Sequence, residues 1–135
     1  MFPRVHHIDF VVRDLDRAAE RYSKILGKAP GPREALESRG VELVRFDLGG
    51  VWVILVQPVR EDSPVMDFLE RHGEGFFHVG YQVADVEAEV RRLKGEGIRL
   101  VNEVPRRGVE GWKLVDLDEE ETFGVVSQLV QQGES

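Results

Sequence analysis

Residues 6–27 read HHIDFVVRDLDRAAERYSKILG, and residues 78–97 read HVGYQVADVEAEVRRLKGEG. A shift of 71 positions lays His7 on His78, Val12 on Val83, Asp14 on Asp85 and Arg21 on Arg92. Phe10/Tyr81, Leu15/Val86 and Asp16/Glu87 are conservative matches under the same shift. Each copy begins as an apolar, β-branched and aromatic run, the signature of a strand. Each then passes through an aspartate into a stretch with helical periodicity. The chain therefore carries one strand-then-helix unit twice, with a histidine near the start of each strand. Pseudo-symmetry of this kind is a way to bring two distant histidines to one cavity.

The rest of the chain fits around these copies. Val5–Val12 reads as a strand, and Asp14 or Asp16 caps a helix over Leu15–Leu26 that Gly27 stops. Ala29–Arg39, with Pro30, Gly31 and Pro32, reads as a loop. Gly40–Asp47 and Val51–Gln57 read as strands joined at Leu48-Gly49-Gly50. Ser63-Pro64 opens a short helix through Arg71. In the second half Phe76–Val83 reads as a strand and Val86–Gly95 as a helix. Arg99–Val104 is expected to be extended, Pro105–Gly111 a loop, and Trp112–Leu117 and Thr122–Val130 strands. The polar tail Gln131–Ser135 is expected to fray.

Bulk properties narrow the function classes. The chain has 135 residues, 41% of them apolar, which suits one domain with a real core. A net charge of −7 and the absence of a basic stripe argue against nucleic acid as a partner. No cysteine is present, so thiolate metal sites and thiol nucleophiles are excluded. MFPRVHHIDF has no signal-peptide core and no apolar run approaches membrane-spanning length, so a cytoplasmic protein without membrane contact is expected.

Side chains alternate faces along a strand. His7, Asp9 and Val11 share one face of the first strand. His78, Gly80 and Gln82 share one face of its counterpart. Ile8, Phe10, Val79 and Tyr81 lie on the opposite faces and suit packing against helices. His7 and His78 then point away from the helices, and convergent neutral imidazoles suit a divalent metal. His6 and His72 lack this symmetry and read as surface or packing residues. Asp9 reads as a base or as a partner that orients an imidazole. Glu37, Glu42 and Glu110 are further candidate bases. Arg45 shares a face with Leu43 and is a candidate to bind a substrate anion or to lie in solvent. Trp52 shares a face with Ile54 and reads either as a pocket wall or as core.

The blocks at 6–27, ESRGVELVRFDLGG (37–50), EDSPVMDFLERHGEGFFHV (61–79) and EVPRRGVEGWKLVDL (103–117) resemble the vicinal oxygen chelate superfamily. That group comprises glyoxalases, bleomycin and fosfomycin resistance proteins, extradiol dioxygenases and methylmalonyl-CoA epimerases, and the chain is most similar to the epimerase branch. The resemblance implies an α+β fold of two βαβββ modules forming an incomplete barrel around a central cavity. It implies a single glyoxalase-like domain over 1–135, with modules at about 4–58 and 75–131 and a helical linker at 59–74. It also implies a homodimer and a divalent metal (Co, Ni, Mn, Zn or Mg).

By the same resemblance, metal-ligand positions fall on His7, His78 and Gln128. A further ligand position falls on Ile54, and a catalytic carboxylate position falls near Leu43, where neither side chain can do that work. Leu43, Arg45, Trp52 and Ile54 would line the substrate pocket. The acidic Asp118-Glu119-Glu120-Glu121 stands where the branch usually has an H-P-K-like loop. The implied activity is a metal-dependent isomerase or lyase that polarises a carbonyl or acyl thioester and moves a proton at the adjacent carbon. The alternatives are a catalytically degenerate small-molecule-binding protein of the resistance type and, less favoured, an iron oxygenase.

Overall fold

A computed structural model describes residues 1–133. Eight strands and three α-helices alternate along the chain: β1 (Arg4–Val11), α1 (Leu15–Leu26), β2 (Glu34–Leu36), β3 (Val41–Asp47), β4 (Trp52–Pro58), α2 (Pro64–His72), β5 (Gly75–Gln82), α3 (Val86–Gly95), β6 (Arg106–Arg107), β7 (Lys113–Asp116) and β8 (Ser127–Gln131). The chain divides into two compact units: a first module, His7–Phe77, and a second, which joins Met1–His6 to the chain from His78 onward.

The two modules repeat one topology. The first has the strand order β2-β3-β4-β1, with β1 parallel to β4 and the other pairs antiparallel. The second has the order β5-β8-β7-β6, with β5 parallel to β8 and the other pairs antiparallel. Each module is thus a βαβββ unit, whose helix carries the chain across from one parallel strand toward the far side of its sheet.

The helices start and stop where local chemistry dictates. Asp14 accepts the Arg17 N–H at 3.1 Å, and Asp85 accepts the Ala88 N–H at 3.1 Å. Gly27 ends α1 in the left-handed region (φ 65°), donating its N–H to the Ser23 carbonyl. Ser63 caps α2, accepting the Val65 N–H, while its hydroxyl donates to the Arg39 carbonyl at 2.6 Å. In the first module Leu15 of α1 packs with Val12, Val44, Phe46 and Leu55, and Phe10, Ala18, Ala19 and Tyr22 extend the cluster. In the second, Val86 and Val90 of α3 pack with Val83, Val115 and Leu129. Each fully buried aliphatic side chain contributes roughly 1.5–3 kcal/mol, so these clusters fix the helix-bearing face of each sheet.

Several sequence expectations are corrected. The expected loop 29–39 contains strand β2 and a 3-10 turn at Glu37–Arg39. The expected loop 105–111 contains strand β6 and a 3-10 turn at Val109–Gly111. Both short strands are held by pairing to β3 and β7 rather than by a pattern of their own. The extended piece 99–104 contributes only one bridge, Leu100 to Leu117. The final strand starts at Ser127 because Glu119–Thr122 forms a 3-10 turn that Asp118 caps. Phe10 packs toward α1 as expected, whereas Tyr81 is exposed and lies outside the α3 cluster. The start of the tail is tied down: Gln131 ends β8 and accepts the Val86 N–H at 2.9 Å. Residues 134–135 of that tail lie outside the described residues.

Candidate functional site

Register decides which side chains share a face. In the first module β1 and β4 pair His7 with Trp52 and Asp9 with Ile54, and β3 and β4 pair Arg45 with Ile54 and Leu43 with Val56. Glu34 pairs with Leu43. Paired residues point to the same side of a sheet, so His7, Asp9, Trp52, Ile54, Arg45, Leu43 and Glu34 lie on one face, opposite the Phe10 and Leu55 face that packs on α1.

This face is buried and carries polar side chains at its centre. His7 and Asp9 are buried, and His7 Nε2 lies 4.0 Å from Asp9 Oδ1. That distance is too long for a direct hydrogen bond. Ile54 and Leu43 are each 3% exposed. Arg45, which sequence reasoning left between cavity and solvent, is buried. Its Nε donates to Glu34 Oε2 at 2.8 Å and its Nη2 to Oε1 at 3.3 Å, and its guanidinium stacks 4.4 Å from the Trp52 ring centroid.

The second module repeats the arrangement with different chemistry. Gly80 pairs with Gln128, Asp116 with Gln128, and Leu114 with Val130, while Arg106 pairs with Leu114. His78, Gly80, Gln128, Asp116 and Arg106 therefore share one face. His78 and Gln128 are buried. Arg106 Nε donates to Asp116 Oδ2 at 2.9 Å and Nη2 to Oδ1 at 3.2 Å. Glu34, Arg106 and Asp116 escaped the sequence reading. The signal that could have found Asp116 is its alternation with Leu114 inside an apolar strand; Glu34 and Arg106 stand on strands too short to show one.

The other candidates are placed away from these faces. Glu42 lies on the opposite face of β3 from Leu43 and Arg45, and accepts from Arg33 at 2.6 Å. That bond, with Asp16 nearby, holds the Arg33 guanidinium above its ordinary range. Glu37 and Glu110 are exposed on 3-10 turns. His6 proves to be a packing residue: its ring meets Trp112 edge-on at 4.4 Å, and its Nε2 hydrogen-bonds Gln132 Oε1 at 2.6 Å. His72 is exposed on the last turn of α2 and stacks on Phe68 at 4.4 Å. The acidic 118–121 segment is partly neutralised by Arg99, whose guanidinium is held high first by its hydrogen bond to Glu121 and then by Asp118 and Glu120.

In the first module buried His7 and Asp9 offer one imidazole and one carboxylate, and in the second buried His78 offers a further imidazole. Two imidazoles and one carboxylate form a nitrogen-oxygen donor set suited to first-row divalent ions, and the residues present fit such an ion. Among the described residues no helix is long and apolar enough to cross a membrane.

Comparison with known proteins agrees with this architecture. Residues 6–115 match the model of the Glyoxalase/Bleomycin resistance protein/Dioxygenase superfamily. An ethylmalonyl-CoA/methylmalonyl-CoA epimerase of Cereibacter sphaeroides is 31% identical, covering 97% of this chain and 99% of its own. An uncharacterized protein of Bacillus subtilis is 30% identical over 95% of this chain and 91% of its own. Among solved structures, a variant of the Streptomyces coelicolor methylmalonyl-CoA epimerase in complex with 2-nitronate-propionyl-CoA is 32% identical and superposes with a TM-score of 0.91, covering 98% of this chain and 96% of the other. The expected α+β fold of paired βαβββ modules is the fold shared with that structure. Sequence match, topology and superposition agree, and the chain is a member of the glyoxalase, bleomycin resistance protein and dioxygenase superfamily, with methylmalonyl-CoA epimerases among its relatives.

Proposed function

We propose that this protein is a cytoplasmic, homodimeric, divalent-metal-dependent isomerase of the methylmalonyl-CoA epimerase type, acting on an acyl thioester. The observation that carries the reading is the matched placement of buried donors: His7 with Asp9 in one module, His78 with Gln128 in the other. His7 and His78 would present neutral imidazole nitrogens, and Gln128 its amide oxygen. Asp9 brings the negative charge that Gln128 lacks. A bound divalent ion supplies Lewis acidity at a carbonyl or thioester oxygen, which acidifies the neighbouring C–H. Gln128 and Leu43 cannot titrate, so Asp9 is the carboxylate of this set that can hold or move a proton. Arg45 is already engaged by Glu34, so its role is to shape the wall with Trp52 and not to clamp a substrate anion alone.

The test is metal content of protein purified without chelator, followed by Co(II) titration of stripped wild type and His7→Ala. Near-stoichiometric binding by wild type, lost in His7→Ala, is expected. Solvent-deuterium exchange at C2 of methylmalonyl-CoA by the metal-loaded protein is expected to follow. No binding at millimolar Co(II) would sink the enzyme reading.

Buried Ile54 and Leu43, which occupy positions where a donor and a carboxylate are expected, favour a second reading. In it the fold is kept for binding an organic molecule and the chemistry is lost. Metal binding without any exchange on acyl thioesters would move the balance to that reading.

A further inference from the structure

The first module contains a cavity that the proposed chemistry does not use. It has a volume of about 480 Å³ and is lined by Phe10, Val12, Ala18 and Tyr22 at its apolar part and by Arg17 and Arg21 of α1. Phe10 lies on the opposite face of β1 from His7 and Asp9, and neither His7 nor Asp9 lines this cavity, although Val11 at the end of β1 does. Its volume falls in the range of small-molecule sites.

The charges around it are unequally satisfied. Glu74, which also lines the cavity, lies 3.7 Å from Arg13. Asp14 is occupied in capping α1. Among the described residues, Arg17 and Arg21 have no ion-pair partner, although most arginines of this chain have one. They stand four residues apart on one helix face, where like charges repel. Two guanidiniums without ion-pair partners thus stand beside an aromatic floor, and the carboxylates of Asp14 and Glu74 line the same cavity. A guanidinium pair matches a doubly charged phosphate better than a carboxylate, because each can contribute a charge-assisted fork. Phe10 and Tyr22, whose ring centroids lie 6.0 Å apart, offer a surface for an apolar group next to it.

We propose that this cavity is a binding site for a small phosphate ester carrying an apolar or aromatic group, with Arg17 and Arg21 holding the phosphate and Phe10 and Tyr22 the apolar body. The site stands independently of the metal reading.

The probe is phenyl phosphate, followed by chemical-shift mapping and calorimetry on the intact chain, with phenol and inorganic phosphate as controls. Phenyl phosphate is expected to bind in the millimolar range or tighter and to shift resonances of Phe10, Tyr22 and the α1 arginines. Inorganic phosphate is expected to bind at least about tenfold more weakly, and phenol more weakly still. Arg21→Ala is expected to weaken phenyl phosphate about tenfold, and the Arg17→Ala/Arg21→Ala pair to abolish it. Both arginines are exposed and alanine is the better helix former, so these variants keep the fold; an unchanged melting temperature checks this. The proposal is overturned by any of three results: no binding at millimolar phenyl phosphate, binding equal to that of phenol, or binding unchanged in the double variant.

Discussion

The two modules share a topology and differ in how they spend their matched positions. At the first position both carry histidine, His7 and His78. Two residues on, the first module has Asp9 and the second Gly80; across the parallel ladder from these stand Ile54 and Gln128. Each module therefore offers one imidazole and one oxygen donor, but from different strands. One strand further, Arg45 corresponds to Asp116, and beyond them Glu34 to Arg106. Both are bidentate arginine-carboxylate pairs in the same register, with the charges reversed. What the two modules share, then, is the histidine and a neutral, paired polar rim; which strand carries which charge differs between them.

The ion pairs give the largest expected contrast. The Arg45 side chain keeps 9% of its surface in solvent and Glu34 26%, against 26% and 21% for Arg106 and Asp116, so the two pairs differ in the burial of the arginine. Removing the carboxylate partner of a buried arginine leaves its charge poorly compensated, which costs about 3 kcal/mol, while a partly exposed pair is worth about 1 kcal/mol. Urea unfolding should show Glu34→Gln destabilised by about 2–3 kcal/mol and Asp116→Asn by about 1 kcal/mol. Equal losses would mean that burial does not distinguish the two rims.

The same contrast explains what could be read from the sequence. Helices α1 and α3 were legible to the residue, because an aspartate cap and a 3.6-residue apolar stripe both mark them. Alternation sets which residues of β1 and β5 share a face, His7 with Asp9 and His78 with Gly80, but not that Tyr81 would stay exposed rather than pack under α3. Strands β2 and β6 were not legible: with three and two residues they have no period, and each sits in a stretch rich in proline and glycine. Glu34 and Arg106 stand on those strands, so half of each ion pair was hidden, and Arg45 could not be told from a solvent-facing arginine. Burial of Asp9 beside His7 also depends on packing that no local pattern encodes.

A second contrast lies between Ile54 and Gln128. If the ladder position across from β1 and from β5 faces the ion in both modules, Ile54→Gln should tighten Co(II) binding by about tenfold, at about 1.4 kcal/mol. The apo protein should lose stability, because a buried amide then lacks a partner. Tighter metal binding with a weaker apo fold is the signature expected in calorimetry and thermal melts. Unchanged affinity would show that only the second module uses this position.

The smallest contrast is the one expected to vanish. Asp14 and Asp85 cap equivalent helices by accepting equivalent N–H groups, both at 3.1 Å. Replacing either with alanine should cost about 1 kcal/mol, read as faster hydrogen exchange in the first turn of its own helix. One asymmetry remains: Asp14 also helps to hold the Arg33 guanidinium in its charged form, and among the charges acting on Arg33 it is the weakest. That contribution is between solvent-exposed groups and is screened by salt, whereas a cap hydrogen bond is not. Asp14→Ala should therefore exceed Asp85→Ala by a few tenths of a kcal/mol at low salt, and the two should converge as salt is raised. A gap that survives high salt would place the difference between the modules in the packing of α1 and α3 rather than in surface charge. The aromatic cluster of Phe10, Tyr22 and Phe46 under α1, set against the aliphatic one under α3, is where it would then have to lie.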